Sequence, residues 1–170
     1  MEIRRLGRGD GARLRDVRLR ALADAPYAFS SSWGREVGFG LEIWEERVAE
    51  SELGERGVVF VAIDDDRGVG MAGGFVVGEG PRVVILWGMW VDPVARQGGL
   101  GRALVEAVAG WAGNLGAVHV RLAVTDGDEC RPAAALYRRL GFVDTGEREP
   151  LEWNPSRVTR VLSRSVRAPA

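Results

Sequence analysis

The sequence contains no lysine: all 23 of its basic residues are arginine. High-GC coding accounts for that bias, and a chain without lysine also offers no ε-amine for accidental acylation. There is one cysteine, Cys130, which excludes an internal disulfide framework. There is one histidine, His119, too few for a His-rich metal site, so no metal is expected. The formal net charge is −1, so no chain-wide basic field exists to attract nucleic acid. No apolar run approaches the ~18 residues that a membrane span needs. Met1-Glu2-Ile3-Arg4-Arg5 leads into a charged stretch without the apolar core of a secretory signal. These absences predict a cytoplasmic chain with neither nucleic acid nor membrane as partner.

What is present suits a folded enzyme-sized unit. The chain has 170 residues, 46% of them apolar, which predicts one domain over residues 1–170. Glu2 to Leu6 reads as a first strand. Leu14, Val17, Ala21 and Ala25 follow at helical spacing after Asp10, and Pro26 stops that helix. Residues 27–40 read as a loop. Leu41, Trp44 and Val48 mark a second helix that ends near Gly54.

Three strands follow. Val58-Val59-Phe60-Val61-Ala62-Ile63 is a short continuous apolar run, the pattern of a well-buried strand. Residues 69–77 and 83–91 are the next two, joined by turns at 65–68 and 78–81. Pro93 cannot donate to a ladder and should end the pairing. Leu100, Ala103, Leu104, Ala107, Val108 and Trp111 then repeat as one face of an amphipathic helix. An alternating strand at 118–124, a helix at 132–140 between Pro132 and Gly141, and two final strands complete the order. The result is an α/β sandwich with a mixed sheet.

The chemistry sits where the third meander strand meets the long helix, at Arg96-Gln97-Gly98-Gly99-Leu100-Gly101-Arg102. The first amides of a helix have no internal partner, and the helix dipole places partial positive charge there. Glycine lets the backbone close on an anion, so the turn suits a phosphate. Arg96 and Arg102 flank it with charge that pairs well with phosphate oxygens. The turn is not a P-loop, because no Lys-Ser/Thr follows. The G-x-G-x-x-G dinucleotide spacing and its ribose-binding acid are also missing.

Val91-Asp92-Pro93 followed by Arg96-x-x-Gly99-x-Gly101-Arg102 resembles motif A of the GNAT N-acetyltransferase superfamily, R/Q-x-x-G-x-G/A. Ala133-x-x-Leu136-Tyr137-x-x-x-Gly141-Phe142 resembles its motif B, at the usual distance. The element order matches as well. The resemblance implies a GNAT-like, mostly antiparallel sheet of six to seven strands with a V-shaped splay, flanked by four helices.

It also implies the activity: an acetyl-CoA-dependent N-acetyltransferase in which a primary amine attacks the thioester directly in a ternary complex. By this likeness the pyrophosphate lies on the amides of Gln97, Gly98, Gly99, Leu100 and Gly101, with Arg96 and Arg102 beside it. The pantetheine arm runs along Met89, Trp90 and Val91, and Thr125 and Asp126 lie near the gap. Tyr137 matches the tyrosine that protonates the sulfur of CoA, and the amide of Trp90 or Val91 is the expected oxyanion donor. Ala133 lies at the start of motif B. The family often has an asparagine three residues earlier, bonded to the pantetheine; this chain has Cys130 there, or Asp128 if the loop is lengthened. Cys130 lacks a nearby histidine in sequence and direct transfer needs no covalent enzyme, which argues against it as nucleophile.

The general base is open. Leu86-Trp87-Gly88-Met89-Trp90 carries no carboxylate, which leaves Glu36, Glu79, His119 or a water held by backbone carbonyls. The acceptor pocket is expected from residues 25–33 with Trp87, Trp90 and Trp153 as aromatic walls, and a small-molecule amine as substrate. Two other readings stand beside it: a non-catalytic acyl-CoA-binding module, and a protein N-terminal or lysine acetyltransferase. A different nucleotide-binding enzyme, which would not bind coenzyme A, is the remaining rival. The resemblance also allows a homodimer, with the alternating last strand, from Arg157 to Val166, at the interface.

Overall fold

A computed structural model describes residues 1–79 and 82–166. The strands are β1 (Glu2–Arg5), β2 (Gly57–Asp64), β3 (Arg67–Val77), β4 (Val83–Val91), β5 (His119–Thr125), β6 (Val143–Leu151) and β7 (Asn154–Ser165). They form one seven-stranded sheet in the order β1-β2-β3-β4-β5-β7-β6. Every neighbouring pair is antiparallel except β4 and β5. The expected turn at Gly78-Glu79-Gly80-Pro81 is described only as far as Glu79; Gly80 and Pro81 lie outside the described residues.

The helices are α1 (Gly11–Asp24), α2 (Trp33–Glu36), α3 (Leu41–Leu53), α4 (Leu100–Asn114) and α5 (Arg131–Arg139). Five are present where four were expected. The addition is the single turn α2, inside the stretch read as loop. A four-residue helix has no periodicity to detect. Its start is capped by Ser32, whose side chain accepts from the Arg35 amide, and its last residue, Glu36, is held by Arg18.

The continuous apolar run in β2 is well buried, as expected, and the structure shows that it is buried on both faces. Val58 and Ala62 join the core beneath α4, while Val59 and Val61 join the core beneath α1 and α3. Each buried aliphatic side chain contributes about 1.5–3 kcal/mol. The small residues of β3 let neighbours approach. A Cβ at Gly74 would stand 2.8 Å from Val108 Cγ1 on α4, and one at Gly73 would stand 2.2 Å from the Trp87 ring.

Helix α1 begins after Asp10, as expected, but Asp10 does not cap it. Glu45 on α3 accepts from the Gly9 and Gly11 amides instead, so α3 closes the start of α1. β7 lies between β5 and β6, and the sheet's edges are β1 and β6.

Two departures from regularity place the site. β4 and β5 are paired only over Val83–Ile85 and His119–Arg121, after which they part. Across β3 and β4, Met71 faces Trp90 while Gly73 faces Trp87, so β4 carries one extra residue. That bulge holds Gly88 at φ +64°, a conformation a side chain disfavours.

Candidate active site

The parting of β4 and β5 opens a cleft of about 710 Å³. One wall is the end of β4 and the start of α4; the other is the end of β5 with α5. The segment after α1 closes one end.

The turn into α4 is built of backbone. Asp92 is buried, accepts from the Val94 amide, and takes ion pairs from Arg20 and Arg67 at 3.0 Å each. Gln97 and Gly99 both adopt left-handed conformations, at φ +71° and +79°. A Cβ on Gly99 would meet nothing within 4 Å, so this glycine is required by its backbone angle alone. The first hydrogen bond of α4 runs from the Ala103 amide to the Gly99 carbonyl. Among the described residues, the amides from Gln97 to Arg102 have no acceptor. Gly101 serves another purpose: its absent Cβ would stand 3.1 Å from Leu136 Cδ2, so it lets α4 and α5 meet.

Thirteen of the fifteen residues expected at the site line this cleft. Met89, Trp90 and Val91 do so from β4, and Arg96, Gln97, Gly99, Leu100, Gly101 and Arg102 from the turn and helix. Thr125, Cys130, Ala133 and Tyr137 do so from the opposite wall. The exceptions are Gly98, which is exposed at the turn, and Asp126, which is exposed and paired with Arg160; neither is part of the lining. Arg96 is engaged within the protein. Its Nε donates to the Val91 carbonyl at 2.9 Å, and its Nη2 contacts Asp24 at 2.5 Å. It therefore braces the turn, and Arg102 is left as the turn's exposed cation.

Strand register separates the two expected oxyanion donors. The Asp92 amide donates to the Val69 carbonyl, and Val91 stands opposite Gly70. Directions alternate along an antiparallel ladder, so the Trp90 amide turns to β3 and the Val91 amide turns to the gap. The Val91 carbonyl accepts from Arg96, which agrees with that direction.

On the facing wall, Tyr137 is 6% exposed and stacks edge-on against Phe142 at 5.7 Å between ring centroids. Burial, with a smaller contribution from Cys130, pushes its phenol above the ordinary tyrosine value. The group therefore stays protonated at neutral pH, as an acid must. Cys130 is also buried, and burial raises its thiol. A protonated thiol is a poor nucleophile, which supports the case against a covalent role. Asp128 faces away, exposed and paired with Arg131 at 2.8 Å, so Cys130 is the member of that pair that meets the cleft. Thr125 is buried and its Oγ1 has no hydrogen-bond partner. An unpartnered hydroxyl on a residue that lines a cleft of this shape fits an acyl-CoA arm, as do the unpartnered amides across from it.

The candidate bases fare differently. Glu36 is 3% exposed and paired with Arg18 at 2.9 Å and Arg47 at 3.4 Å. Burial opposes its charge, but the bonds from Arg18 outweigh that and hold the carboxyl below its ordinary value. His119 pairs with Val83 at the closed end of the β4–β5 pair. Glu79 is exposed in the turn before that same end. From Val83 to Trp90 is about 23 Å along a strand, so neither reaches the gap. Glu129 is the one carboxylate among the described lining residues, and its ion pair with Arg157 lowers its pKa.

Trp87 and Trp90 line the cleft, as expected of aromatic walls. Trp153 does not; its indole donates to the Phe29 carbonyl at 2.7 Å and pins the β6–β7 turn to the segment after α1. Sequence reasoning missed Asp24, which also accepts from the Trp90 indole at 2.9 Å, and no motif marks it. It also missed Arg139, which lines the cleft from α5. Its spacing from Leu136, three residues along one helix face, is a signal that could have found it.

A splayed parallel strand pair with open amides at the following helix is the architecture of the acetyltransferase fold. The chain belongs to the Acetyltransferase (GNAT) family, whose model matches residues 19–142. No curated protein matches the chain by sequence. An acetyltransferase of the GNAT family from Streptococcus pneumoniae superposes with a TM-score of 0.79 at 16% identity, over 97% of this chain and 98% of that one. Ribosomal-protein-alanine N-acetyltransferase from Brucella melitensis gives 0.77 at 19% identity, over 97% and 99%. The protein yncA from Salmonella typhimurium, determined with its cofactor acetyl-CoA, gives 0.76 at 17% identity, over 100% and 96%.

Proposed function

We propose that this protein is an acetyl-CoA-dependent N-acetyltransferase that passes the acetyl group directly to a small-molecule primary amine. One observation carries the reading: the residues of the turn whose amides lack a partner, Gly98 apart, line the same cleft as Tyr137 with its buried phenol. Family membership supports the donor, as does the acetyl-CoA bound to yncA, a protein of like fold.

Acetyl-CoA supplies an acyl group already activated as a thioester. The turn amides and Arg102 hold its pyrophosphate, and Thr125 Oγ1 offers the pantetheine a hydrogen bond. The Val91 amide stabilises charge that develops on the carbonyl oxygen. A donor of this kind contributes about 2.7–4 kcal/mol to the transition state. As the new C–N bond forms and the C–S bond breaks, Tyr137 gives its proton to the departing sulfur. The phenol regains a proton when the attacking nitrogen loses one.

With Glu36 and Glu129 both committed to arginines, the amine enters in its neutral form or loses its proton to water. A rise of kcat/KM with pH that follows the acceptor's own amine pKa is the expected profile. A small acceptor suits the closed end of the cleft, where Trp153 and the Arg35–Glu152 pair hold the β6–β7 turn over residues 26–36. An amine panel with thiol detection of released CoA tests the proposal. Release of CoA with any primary amine supports it. Coenzyme A that binds, with no amine turned over, would leave an acyl-CoA-binding module.

A further inference from the structure

Behind the acceptor end of the cleft lies a buried charge that the acetyl-transfer chemistry does not use. Arg18, on α1, is 5% exposed. Its Nε and Nη2 donate to Glu36 at 2.9–3.3 Å, but Nη1 is buried with no hydrogen-bond partner. A guanidinium nitrogen out of water and unpaired is costly. Charge does not balance locally either. Arg18 and Arg47 both face the single carboxylate of Glu36, and the nearby Arg35–Glu152 pair is already neutral.

The position of Nη1 points to a ligand. The guanidinium lies 4.9 Å from the Phe29 ring centroid and 5.7 Å from that of Trp87. Phe29, Trp87 and Gly88 all line the cleft. A Cβ on Gly88 would stand 3.6 Å from Nη1. Met71 Cε stands nearer that point, at 3.2 Å, so the glycine that makes the β4 bulge puts no side chain of its own between the cleft and this buried nitrogen. Gly88 is three residues before Val91, about 10 Å along the strand. An anion on Nη1 and a nitrogen beside Val91 can belong to one small molecule.

We propose that the acceptor is an amine that also carries a carboxylate, of the size of an amino acid, and that its carboxylate docks on Arg18 Nη1 between Phe29 and Trp87. The inference rests on the acetyltransferase reading for the site's purpose but not for its existence. Arg18 is a binding residue here and takes no part in bond making. A guanidinium held rigid by Glu36 and framed by two rings favours a planar anion over a bulky one.

The test compares free amino acids with their carboxamides and the corresponding decarboxylated amines. Wild-type kcat/KM is expected to favour the carboxylates by about tenfold or more, the worth of one charge-assisted hydrogen bond. The carboxamides are less basic, so more of their amine is neutral; a preference for the carboxylates runs against that advantage. Arg18→Lys should remove most of the preference while coenzyme A still raises the melting temperature. Gly88→Ala, which crowds the approach instead of the charge, should narrow the same ratio and serves if Arg18→Lys does not fold.

CoA release with carboxamides or plain amines preferred would overturn the carboxylate site and leave the transferase standing. If no amine is turned over, the melting temperature of the coenzyme A complex decides. A further rise with amino acids, absent with carboxamides and lost in Arg18→Lys, supports the site without the transferase. No such rise would sink the site as well.

Discussion

The two ends of the cleft are made of different material. At the end proposed for the donor the unpartnered groups are backbone amides, from Gln97 to Arg102, contributed by one unbroken stretch of chain. At the acceptor end the groups are side chains brought from far apart: Arg18, Phe29, Glu36, Arg47 and Trp87. The donor end presents open hydrogen-bond donors to whatever anion arrives. The acceptor end is already paired internally, save for one nitrogen. A site of the first kind needs a particular backbone path and tolerates change in most side chains. A site of the second kind depends on each partner being present and on the core that positions it.

The sharpest way to break the donor end is Gly99→Glu. Its side chain would enter open space, and negative charge at a helix start is tolerated, so the fold should survive. The left-handed angle costs a side chain about 1–2 kcal/mol. The carboxylate, however, sits where the pyrophosphate should go. Wild type at a hundredfold excess of coenzyme A over its Kd should gain about 2.7 kcal/mol, or roughly 5–10 °C. The variant should show no shift and no turnover. A normal shift would remove the turn from the donor site.

Tyr137→Phe is the next largest effect and lies between the two ends. The ring keeps its packing on Phe142, so stability and the coenzyme A shift should hardly change. Loss of the acid should lower kcat by about 10²-fold or more. An unchanged kcat, with chemistry shown to limit the rate, would mean that another group protonates the sulfur.

At the acceptor end, Glu36→Gln leaves Arg18 and Arg47 facing each other without a counter-charge. Breaking a buried pair from one side costs about 3–5 kcal/mol, which is roughly 6–20 °C for a chain of this size. The same carboxyl gives a pH signature. Its folded-state pKa lies below the ordinary value, so its stabilisation is present above the ordinary carboxylate range and is lost as pH falls through the folded value. Glu106, Glu129 and Asp144 are lowered as well, so the variant should show a shallower acid limb in denaturation curves, not a flat one. An acid limb identical to wild type would show that the Arg18–Glu36 pair contributes no stability.

This division of material also explains what could be read from the sequence. The meeting of the turn and Tyr137 in one cleft was legible because glycine spacing, a helix start and the Tyr137 register all lie within residues 91–142. The sheet was legible from its alternation and from the two-faced run in β2. The acceptor end was not. Glu36 is a plausible base by residue type, and only the contact with Arg18, eighteen residues earlier, shows it to be an ion-pair partner. Trp153 was read as a wall and proves to be a pin, because its hydrogen bond to Phe29 spans 124 residues. The Gly88 bulge and the orphaned Nη1 leave no trace in any local pattern.

Cys130→Ala carries the smallest expected effect and sharpens the comparison where the two ends meet. The thiol stands in the cleft wall beside Tyr137. If it acted by forming an acyl-enzyme, its loss would abolish turnover, as Tyr137→Phe should nearly do. Burial instead keeps it protonated, and no histidine lies beside it in sequence to take the proton. Its part is then to fill space, and Thr125 Oγ1 is the polar group left to meet the pantetheine. Cys130→Ala should keep kcat within about threefold of wild type, on the order of the 1 kcal/mol or less that a small packing change costs. Thr125→Val should weaken acetyl-CoA binding more than Cys130→Ala does, read as KM or as the coenzyme A melting shift. The reverse order would return the pantetheine contact to the thiol.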